Sequence, residues 1–359
     1  MIVPRVSLLF PNHNSARVLQ HVLDCLAANT TYPDVELVAV DDGSTDGSRE
    51  TLRRWSDSGA FRGDIRLIEK ENSGAIDTLN TALHAATGEL CVQLDSDASV
   101  ETAGWIERML AFMEVDERVG VVTAKVVMDT GKLHACGVNV VGPAGMHDRS
   151  STPTESAGQR QWHHRVERVF EGGGGVLESE VAEVDAGIGC CTMYRRTDAL
   201  AVGGYDTGFS PVWLDDLDLC LMIRRLGRKA FYLPDVRVVH HITGRGARIT
   251  PSERFRPSRV GRAILRRSAK ALPGDRRALL ERRLGIDLEL HFDPTQKARM
   301  QHHYVYWREK WGWDPLNPDV AEIHARWGET EICWGDGAAR RAAGEEIIRA
   351  FQQGRATAV

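Results

Sequence analysis

The sequence lacks any apolar run of the roughly 20 residues needed to cross a lipid bilayer. Its amino terminus shows no secretory signal, because Met1–Arg5 leads directly into a strand-like segment. Seven cysteines are present, but no Cys-x-x-Cys pair occurs among them. The formal net charge is -5, whereas a dedicated nucleic-acid binder is usually basic. These absences predict a soluble, cytoplasmic protein with reduced cysteines and no nucleic-acid partner.

Apolar runs alternate with segments of helical periodicity through the first third of the chain. The runs are too short for globular helices and predict buried strands, at residues 6–10, 36–40, 66–68, 90–94 and 119–122. Between them, apolar residues recur at helical spacing, as in Leu19, Val22, Leu23 and Leu26. Strands that alternate with short amphipathic helices predict an α/β fold, with a mostly parallel, Rossmann-like sheet flanked by helices.

Polar side chains follow four of the predicted strands, at the point where each strand ends. These side chains are His13, Asp42, Asn72 and Asp97. Right-handed crossovers bring the carboxyl ends of parallel strands to one edge of the sheet, where open α/β sheets bind ligands. The sequence therefore predicts that the four side chains line one cleft.

Two carboxylates one residue apart, Asp95 and Asp97, end the strand at 90–94. Such a pair can share a hard divalent cation, which prefers carboxylate oxygens and keeps sites for phosphate oxygens. Asp-x-Asp by itself is weak evidence and fits a polar loop that caps the next helix better than a metal site, so the other motifs decide its meaning.

Three further acids, Asp215, Asp216 and Asp218, open a predicted helix in the second half of the chain. Acidic residues in a first turn stabilise the helix dipole, and this role explains at least one of them without catalysis. A last predicted strand at 236–241 ends in two adjacent histidines. Beyond residue 246 the sequence shows helical spacing and no strand signal, which predicts a mainly helical carboxyl-terminal extension.

In their order and spacing, these motifs resemble the inverting GT-A glycosyltransferases of family two. The matching segments are Pro11-Asn12-His13-Asn14, Asp41–Asp46, Asn72–Gly74, Gly88-Glu89, Asp95–Asp97, Gly203–Asp206, Asp215–Leu219 and Val238–His240. The resemblance implies a GT-A domain at 1–245, with a nucleotide-sugar half at 1–128 and an acceptor and catalytic half at 129–245. The helical extension then covers 246–359. The resemblance also implies transfer of a sugar from a nucleoside diphosphate sugar to an acceptor hydroxyl.

The resemblance implies donor-binding roles for residues at the strand ends. Asp42 would accept the base N–H, Pro11 and His13 would pack against the base, and Asp95 would face the ribose. The remaining donor-binding residues that it implies are Asn14, Asn72, Gly74 and Ser96. His13 stands where the family has a tyrosine, so UDP-, GDP- and dTDP-sugars all stay open as donors.

The resemblance also implies a metal site, in which Asp97 and His240 bind Mn²⁺ or Mg²⁺ at the donor diphosphate. His241 is adjacent and is the alternative to His240. Arg245, between two glycines, is interpreted as part of a lid that approaches the diphosphate. A plain exposed arginine is the alternative reading of that residue.

Asp216 is the predicted general base, which takes the proton from the acceptor hydroxyl as its oxygen attacks the anomeric carbon. The alternative is that Asp215 is the base and Asp216 caps the helix. Asp218, Asn80 and Asp46 are predicted to have structural roles.

Three rival interpretations remain at this point. A retaining GT-A glycosyltransferase would share these motifs. A sugar-nucleotide nucleotidyltransferase would more naturally carry a glycine-rich, basic phosphate loop after the first strand, and Pro11–Asn14 is not one. A non-catalytic nucleotide- or carbohydrate-binding homologue would need neither Asp97 nor Asp216, yet both are present.

The acceptor is predicted only as a class, namely a carbohydrate, a glycolipid or a small-molecule hydroxyl. Residues 130–180 and the extension are expected to shape its side of the cleft. Four tryptophans could stack on sugars or fill the core, namely Trp162, Trp213, Trp311 and Trp313. The arginine-rich stretch at 254–283 fits a solvated helix face or contact with anionic lipid. Peripheral membrane contact and homodimerisation are left open.

Overall fold

The computed structural model describes residues 3–129, 131, 133–138, 179–241, 294–313, 325–327 and 338–357, and within them ten strands form one sheet. The strands are β1 (Val6–Asn12), β2 (Val35–Asp42), β3 (Asp64–Lys70), β4 (Leu90–Gln93), β5 (Ala98–Val100), β6 (Val119–Met128), β7 (Leu133–Ala135), β8 (Ala182–Val184), β9 (Thr192–Arg195) and β10 (Lys229–His240). The helices include α1 (Ala16–Asn29), α2 (Ser48–Asp57), α3 (Ala75–Ala85), α4 (Trp105–Met113), α5 (Arg196–Ala201), α6 (Asp215–Arg224), α7 (Pro294–Trp311) and α8 (Ala338–Thr357).

Neighbouring strands follow the order β3-β2-β1-β4-β9-β6-β10-β5, with β7 paired to β6 and β8 to β10. β1 to β4 are parallel to one another. β6 and β10 run the same way, because β9 is antiparallel to both β4 and β6. Six of the ten strands therefore share a direction, and the short strands β5, β7, β8 and β9 oppose it. The predicted α/β fold with a mostly parallel central sheet is confirmed.

The apolar pattern of the sequence accounts for how the sheet is covered. β2 is buried along its whole length, whereas β3, at the edge of the sheet, alternates between exposed and half-buried residues. α1 turns its four periodic apolar residues inward, namely Leu19, Val22, Leu23 and Leu26. Each fully buried side chain of this kind contributes about 1.5 to 3 kcal/mol relative to leaving it exposed.

The register of the strands sets which loops meet at the carboxyl edge of the sheet. Asn12 at the end of β1 lies beside Asp41 in β2, and Asp42 lies beside Lys70 at the end of β3. β4 ends beside Leu9 of β1. The loops that follow these strands therefore emerge next to one another, as parallel pairing requires.

α7 buries its aromatic residues against the rest of the protein. Trp307, Trp311 and Trp313 are at most 2% exposed, and their rings pack at centroid distances of 5.6 Å for Trp307 and Trp311 and 5.1 Å for Trp307 and Trp313. Trp311 and Trp313 are therefore core residues and present no face to a sugar. Their burial follows from the apolar area of an indole, which outweighs the cost of enclosing its one N–H.

Every described element beyond residue 246 is helical, as predicted for the extension. The domain division at residue 245 stays a prediction. Arg245, Trp162 and the stretch at 254–283 lie outside the described residues. None of the helices in the described ranges has the length and apolar character needed to span a membrane.

Candidate active site

Asp42 is the centre of a hydrogen-bonded cluster at the ends of β2 and β3. Its Oδ1 accepts from the Lys70 ammonium and from the Ser73 N–H at 2.9 Å. Its Oδ2 accepts from the Asn72 carboxamide at 3.0 Å and from the Gly74 N–H at 2.9 Å. Burial raises the pKa of Asp42, but these hydrogen bonds, led by that of Lys70, outweigh it and hold the pKa below its ordinary value. The carboxylate is therefore ionised and fully bonded at neutral pH.

His13 is exposed beside this cluster, which places it where the sequence predicts. Its Nδ1 lies 2.8 Å from the carbonyl oxygen of Asp42, so the ring donates its Nδ1 proton there. Its Nε2 then accepts from the Asn14 carboxamide at 2.9 Å. Asn72 Nδ2 lies 3.2 Å from His13 Nδ1. Pro11, half-buried near the end of β1, completes this exposed edge.

Gly74 and Asn14 shape the backbone around the cluster. Gly74 has φ +102°, and a Cβ there would lie 2.6 Å from Pro211 Cβ, so only glycine fits. Asn14 has φ +51°, and its Oδ1 accepts from the Thr45 N–H at 2.8 Å. Asn14 thus holds the loop after β2 against the loop after β1.

Ser96 does not face the donor cluster as the resemblance implies. Its side chain is fully buried, with Oγ closed off from solvent. Ser96 lies between Asp95 and Asp97 in a turn, and the turn directs its hydroxyl into the protein. Any contact of Ser96 with a donor would have to use its backbone.

The predicted metal ligands Asp97 and His240 lie together. His240 Nε2 is 3.3 Å from Asp97 Oδ1, because antiparallel pairing of β5 with β10 sets Ala98 beside His240. His241 points elsewhere, with its Nε2 2.8 Å from Ser99 Oγ and its ring packed edge-on to His21. Of the two adjacent histidines, the geometry thus brings His240 to the carboxylate.

Cys190, which the sequence does not mark as a ligand, lies near His240 in a second group of candidate ligand atoms that does not include Asp97. Candidate ligand atoms of Asp95, Cys190 and His240 all lie within 4.8 Å of one another. Asp95 and His240 are half-buried, and Cys190 is 3% exposed. The sequence signal was weak, because Cys190 stands in an apolar segment that resembles an ordinary strand.

Asp215 and Asp216 begin α6 and differ in environment. Asp215 is 5% exposed and accepts from the Trp213 N–H at 3.0 Å, whereas Asp216 is half-buried. Burial, followed by the charge of Asp216, raises the pKa of Asp215 to about 8. Asp215 is therefore mostly protonated at neutral pH and is unsuited to accept a proton. Asp216 is the more accessible acid of the pair.

Gly189 links Asp216 to the carboxylate pair. Its N–H donates to Asp216 Oδ2 at 3.0 Å. A Cβ at Gly189 would lie 2.3 Å from Gln93 Nε2 and 3.6 Å from Asp95 Oδ1, so the turn packs directly on the end of β4. The helix that carries Asp216 and the strand that leads to Asp95 are thus held side by side.

Asp218 is held by α7, which supports its predicted structural role. Lys310 Nζ donates to Asp218 Oδ2 at 2.8 Å and to Asp206 Oδ2 at 2.6 Å. The indole N–H of Trp311 donates to Asp218 Oδ1 at 2.8 Å. Burial raises the pKa of Asp218 to about 6, and Lys310 opposes that rise. The helical extension thereby clamps the helix that carries Asp216.

The two other residues predicted to be structural also make structural contacts. Asp46 accepts from the Ala16 N–H at 2.9 Å and the Ser48 N–H at 3.0 Å, which joins two helix starts. Asn80 donates to the Tyr205 carbonyl at 2.7 Å and accepts from its N–H at 2.9 Å. Neither side chain is directed at the carboxylate cluster.

Removal of the Lys310 cation tests this clamp. Lys310→Met is expected to lower the free energy of unfolding by about 3 kcal/mol at pH 8, because it leaves two carboxylates without their buried partner. The deficit should shrink toward pH 5. A carboxyl whose folded-state pKa is raised stabilises the fold only while protonated, so stability is lost as pH rises from about 4 through about 6. Without Lys310 to oppose the rise in the pKa of Asp218, the pH range over which stability is lost extends to higher pH.

Urea unfolding of Lys310→Met at both pH values measures the effect. Arg308→Met removes an exposed cation from the same helix and is the matched control, with a change of less than about 0.5 kcal/mol expected. Equal losses of unfolding free energy in the two variants would show that the Lys310 contacts add no specific stability. A Lys310→Met loss that does not change with pH would show the same.

An open groove of about 660 Å³ lies between β3 and α3, lined in part by Lys70, Ser73, Asp77 and His84. It borders the Asp42 cluster through Lys70 and Ser73. None of the predicted site residues lines it, and neither carboxylate of the Asp-x-Asp motif reaches it. The groove therefore adjoins the Asp42 cluster and does not include the Asp-x-Asp carboxylates.

Residues 7–138 match the family model described as Glycosyl transferase family 2. The matched part includes Asp42 and Asp97, whereas Asp216 and His240 lie beyond it. The match therefore covers β1 to β7 and leaves the second half of the candidate site outside.

Two curated relatives agree with this match. The chain is 25% identical over 345 residues to the O-antigen biosynthesis protein RfbC of Myxococcus xanthus, covering 87% of this chain and 25% of RfbC. It is 34% identical over 129 residues to a PGL/p-HBAD biosynthesis glycosyltransferase of Mycobacterium bovis, covering 36% of this chain and 49% of that protein. The chain thus spans a quarter to a half of the length of these relatives. The family match and the named relatives support a glycosyltransferase.

A solved structure, the mannosyltransferase PcManGT from Pyrobaculum calidifontis in complex with GDP-Man and Mn²⁺, aligns over 97% of this chain and 86% of that chain. The identity is 21% and the TM-score 0.47. At these values the likeness adds nothing about the donor, metal or acceptor of this chain.

Proposed function

We propose that this protein transfers a glycosyl group from a nucleoside diphosphate sugar to an acceptor hydroxyl, with inversion and with Asp216 as the general base. One observation carries the proposal: Gly189 joins the accessible acid Asp216 to the Asp95–Asp97 turn, where His240 also lies. A proton acceptor and a cation site are thereby adjacent at the carboxyl edge of the sheet, next to the Asp42 cluster.

The proposed base site is the exposed edge formed by His13, Asn72 and Asp42. The His13 ring is held by two hydrogen bonds and can stack on a nucleobase. Because the Asp42 carboxylate is already fully bonded, a base N–H must displace one of its donors. Lys70 is the exchangeable donor, since its side chain rotates whereas the Ser73 and Gly74 N–H groups are fixed in the backbone. The released ammonium can turn toward the diphosphate.

Asp42→Asn tests this assignment. We expect it to weaken nucleotide binding about 10- to 100-fold, which is the cost of one hydrogen bond to a charged group. Asp41→Asn is the matched control, because Asp41 is an equally buried acid that accepts from Asn12, Ser44 and Arg49. Both variants should lower thermal stability, and only Asp42→Asn should change affinity in calorimetric titrations. Equal affinity losses would make Asp42 a structural residue.

The residues at the proposed cation site fit a divalent ion. Two cis ligands of an octahedral ion with bonds of about 2.1 to 2.3 Å lie roughly 3.0 to 3.3 Å apart. The 3.3 Å between Asp97 Oδ1 and His240 Nε2 agrees with that spacing. Asp97 and His240 would hold Mn²⁺ or Mg²⁺, with Asp95 at the ribose. The ion, when bound, neutralises the charge that develops on the leaving nucleoside diphosphate.

Asp216 takes the acceptor proton in the proposed reaction. Both Asp216 oxygens accept a backbone N–H, Oδ2 from Gly189 at 3.0 Å and Oδ1 from Leu217 at 2.8 Å, and each oxygen keeps a lone pair for the acceptor hydroxyl. Asp215, protonated and buried beside it, leaves Asp216 as the acid of the pair that can receive a proton. Attack by the activated oxygen on the face opposite the leaving group inverts the anomeric centre in one displacement.

Trp213 is our proposed contact for a sugar acceptor. It is half-buried and lies two residues before Asp215, with φ +107°. A non-glycine residue in this region of φ carries strain of about 1 to 3 kcal/mol, which surrounding structure must hold in place. The acceptor class remains a carbohydrate, glycolipid or small-molecule hydroxyl.

The proposed function is tested by a panel of UDP-, GDP- and dTDP-sugars with candidate acceptors. Release of nucleoside diphosphate that requires both a divalent cation and Asp216 supports it. The coupling constant of the anomeric proton in the product, measured by NMR, decides between inversion and retention. Retention of configuration would exclude Asp216 as the base of a single displacement.

A further inference from the structure

Cys190 has a position that the proposed reaction does not explain. It is 3% exposed, and its Sγ belongs to the group of ligand atoms of Asp95 and His240 that lie within 4.8 Å of one another. Three atoms that are at most 4.8 Å apart lie within about 2.8 Å of a common point, which is close to the metal–ligand bond lengths of about 2.0 to 2.3 Å. Its neighbour Gly189 packs against Asp95, which fixes the turn there.

We propose that the Cys190 thiolate, together with Asp95 and His240, is a ligand of the divalent-cation site in the nucleotide-free protein, so that the site favours Zn²⁺ and Co²⁺ over Mg²⁺. The proposal deepens the proposed function and rests on its metal site. Mg²⁺ prefers oxygen ligands in near-ideal octahedral geometry, whereas imidazole and thiolate suit the later transition metals. A site that combines carboxylate, imidazole and thiolate therefore discriminates against Mg²⁺.

The adjacent cysteine shows that burial in this segment does not by itself bring a thiol to the cluster. Cys191 is fully buried, and its Sγ lies 4.0 Å from Met109 Sδ in the apolar core. Both cysteines lie in the turn and bend that precede β9, where Cys190 Sγ lies near Asp95 and His240 while Cys191 Sγ faces the core. Cys191 thus behaves as a small core hydrophobe, and Cys190 lies among polar ligand atoms.

Another thiol–imidazole pair in the described residues could also bind a soft metal. Cys25 Sγ lies 3.6 Å from His21 Nε2 on α1, where the two residues are one helical turn apart. This pair has a single thiol and a single imidazole, and within the described residues no third histidine, cysteine or carboxylate ligand atom lies within 4.8 Å of both. It is the rival site that an experiment must separate from Cys190.

Co²⁺ titration of the nucleotide-free protein tests the proposal directly. A thiolate ligand gives a sulfur-to-cobalt charge-transfer absorption in the near ultraviolet, which oxygen and nitrogen ligands do not. We expect this band in the wild type and in Cys25→Ser, and its loss in Cys190→Ser. Zn²⁺ affinity in Cys190→Ser should fall by at least about 100-fold, beyond the 10- to 100-fold typical of residues outside the ligand shell.

X-ray absorption of the Zn²⁺-loaded wild type provides a measurement that needs no variant. A sulfur shell at about 2.3 Å from zinc, beside nitrogen and oxygen at about 2.0 to 2.2 Å, is expected. A shell of nitrogen and oxygen alone would overturn the proposal. So would a charge-transfer band that survives in Cys190→Ser and disappears in Cys25→Ser, because the ligand would then be the rival pair.

Competition with Mg²⁺ separates this proposal from the proposed function. A 100-fold excess of Mg²⁺ should leave the cobalt band in place. Because no nucleotide is added, a Cys190-dependent band with no nucleotide binding at all would leave the thiolate ligand standing and remove the transferase assignment. Metal-dependent nucleotide binding without any sulfur ligand would overturn the Cys190 proposal and leave the transferase assignment standing.

Discussion

Asp216→Asn should lower the rate of glycosyl transfer by about 10²- to 10⁴-fold, the usual contribution of a positioned general base. The amide keeps an oxygen that can accept from the Gly189 N–H, so the turn beside Asp95 should keep its shape, and it loses only the second hydrogen bond, from the Leu217 N–H of the same helix. Both hydrogen bonds of Asp216 lie away from the Asp42 cluster, and nucleotide affinity should change by less than about twofold. Initial rates and calorimetric titrations on the same preparation measure both quantities, so a loss of rate at unchanged affinity assigns the residue to the chemical step.

Asp215→Asn is the matched comparison for this prediction. Asp215 is the immediate neighbour of Asp216 and is already protonated at neutral pH, because burial and the nearby charge raise its pKa to about 8. A neutral amide in its place should cost far less activity than Asp216→Asn does. If the rate collapses in Asp215→Asn and survives in Asp216→Asn, Asp215 is the base and Asp216 only completes the start of α6.

Asp97→Ala should abolish the increase in nucleotide affinity that Mn²⁺ produces. Asp97 is fully buried and lies 3.3 Å from His240, so its loss removes one ligand and leaves the imidazole without that carboxylate. Nucleotide binding measured without metal should persist, since the Asp42 cluster is untouched. Calorimetric titration of nucleotide with and without Mn²⁺ gives the difference. Asp97→Asn nearly preserves the side-chain volume and is the control for a loss of metal dependence that results only from unfolding.

The two adjacent histidines supply a control pair for the cation site. His240→Ala should reproduce the loss seen in Asp97→Ala. His241→Ala should retain metal dependence, because His241 Nε2 lies 2.8 Å from Ser99 Oγ and does not face the carboxylates. Full metal dependence of nucleotide binding in Asp97→Ala, or a greater loss of that dependence in His241→Ala than in His240→Ala, would show that the cation does not bind at the proposed ligands.

The strand ends were the most predictable part of the molecule. Parallel pairing follows from the alternation of apolar runs and helical periodicity, and it places His13, Asp42 and Asn72 in contact with no further information. The family resemblance added roles that geometry alone does not supply. It marked Asp216 and His240, which are far along the chain from the strands they meet.

The missed residues are those whose role depends on long-range pairing. Lys70 contacts Asp42 only because the pairing of β2 with β3 places the two residues side by side. In the sequence, a lysine at the end of an edge strand is indistinguishable from an ordinary solvated residue. Cys190 has an apolar sequence context, and its approach to Asp95 follows from a turn that the pattern does not encode. Local sequence carries no signal for either contact.

Burial argues against the role implied for Ser96 and decides between the two alternatives left open for Trp311. Ser96 is polar and Trp311 is aromatic, and the sequence alone allows either side chain to face a ligand. The structure closes Ser96 inside the Asp95–Asp97 turn and places Trp311 against Asp218 in the core. Exposure of a single side chain depends on the packing of elements distant in sequence, so periodicity could not decide it.

Calorimetric titration of UDP, GDP and dTDP, each with and without Mn²⁺, tests the central claim most directly. The account predicts that one nucleotide binds tightly only when the cation is present, and that this dependence disappears in Asp97→Ala. That result also selects the donor class for an acceptor screen. Absence of binding for all three nucleotides under both conditions would contradict the account and favour a non-catalytic homologue.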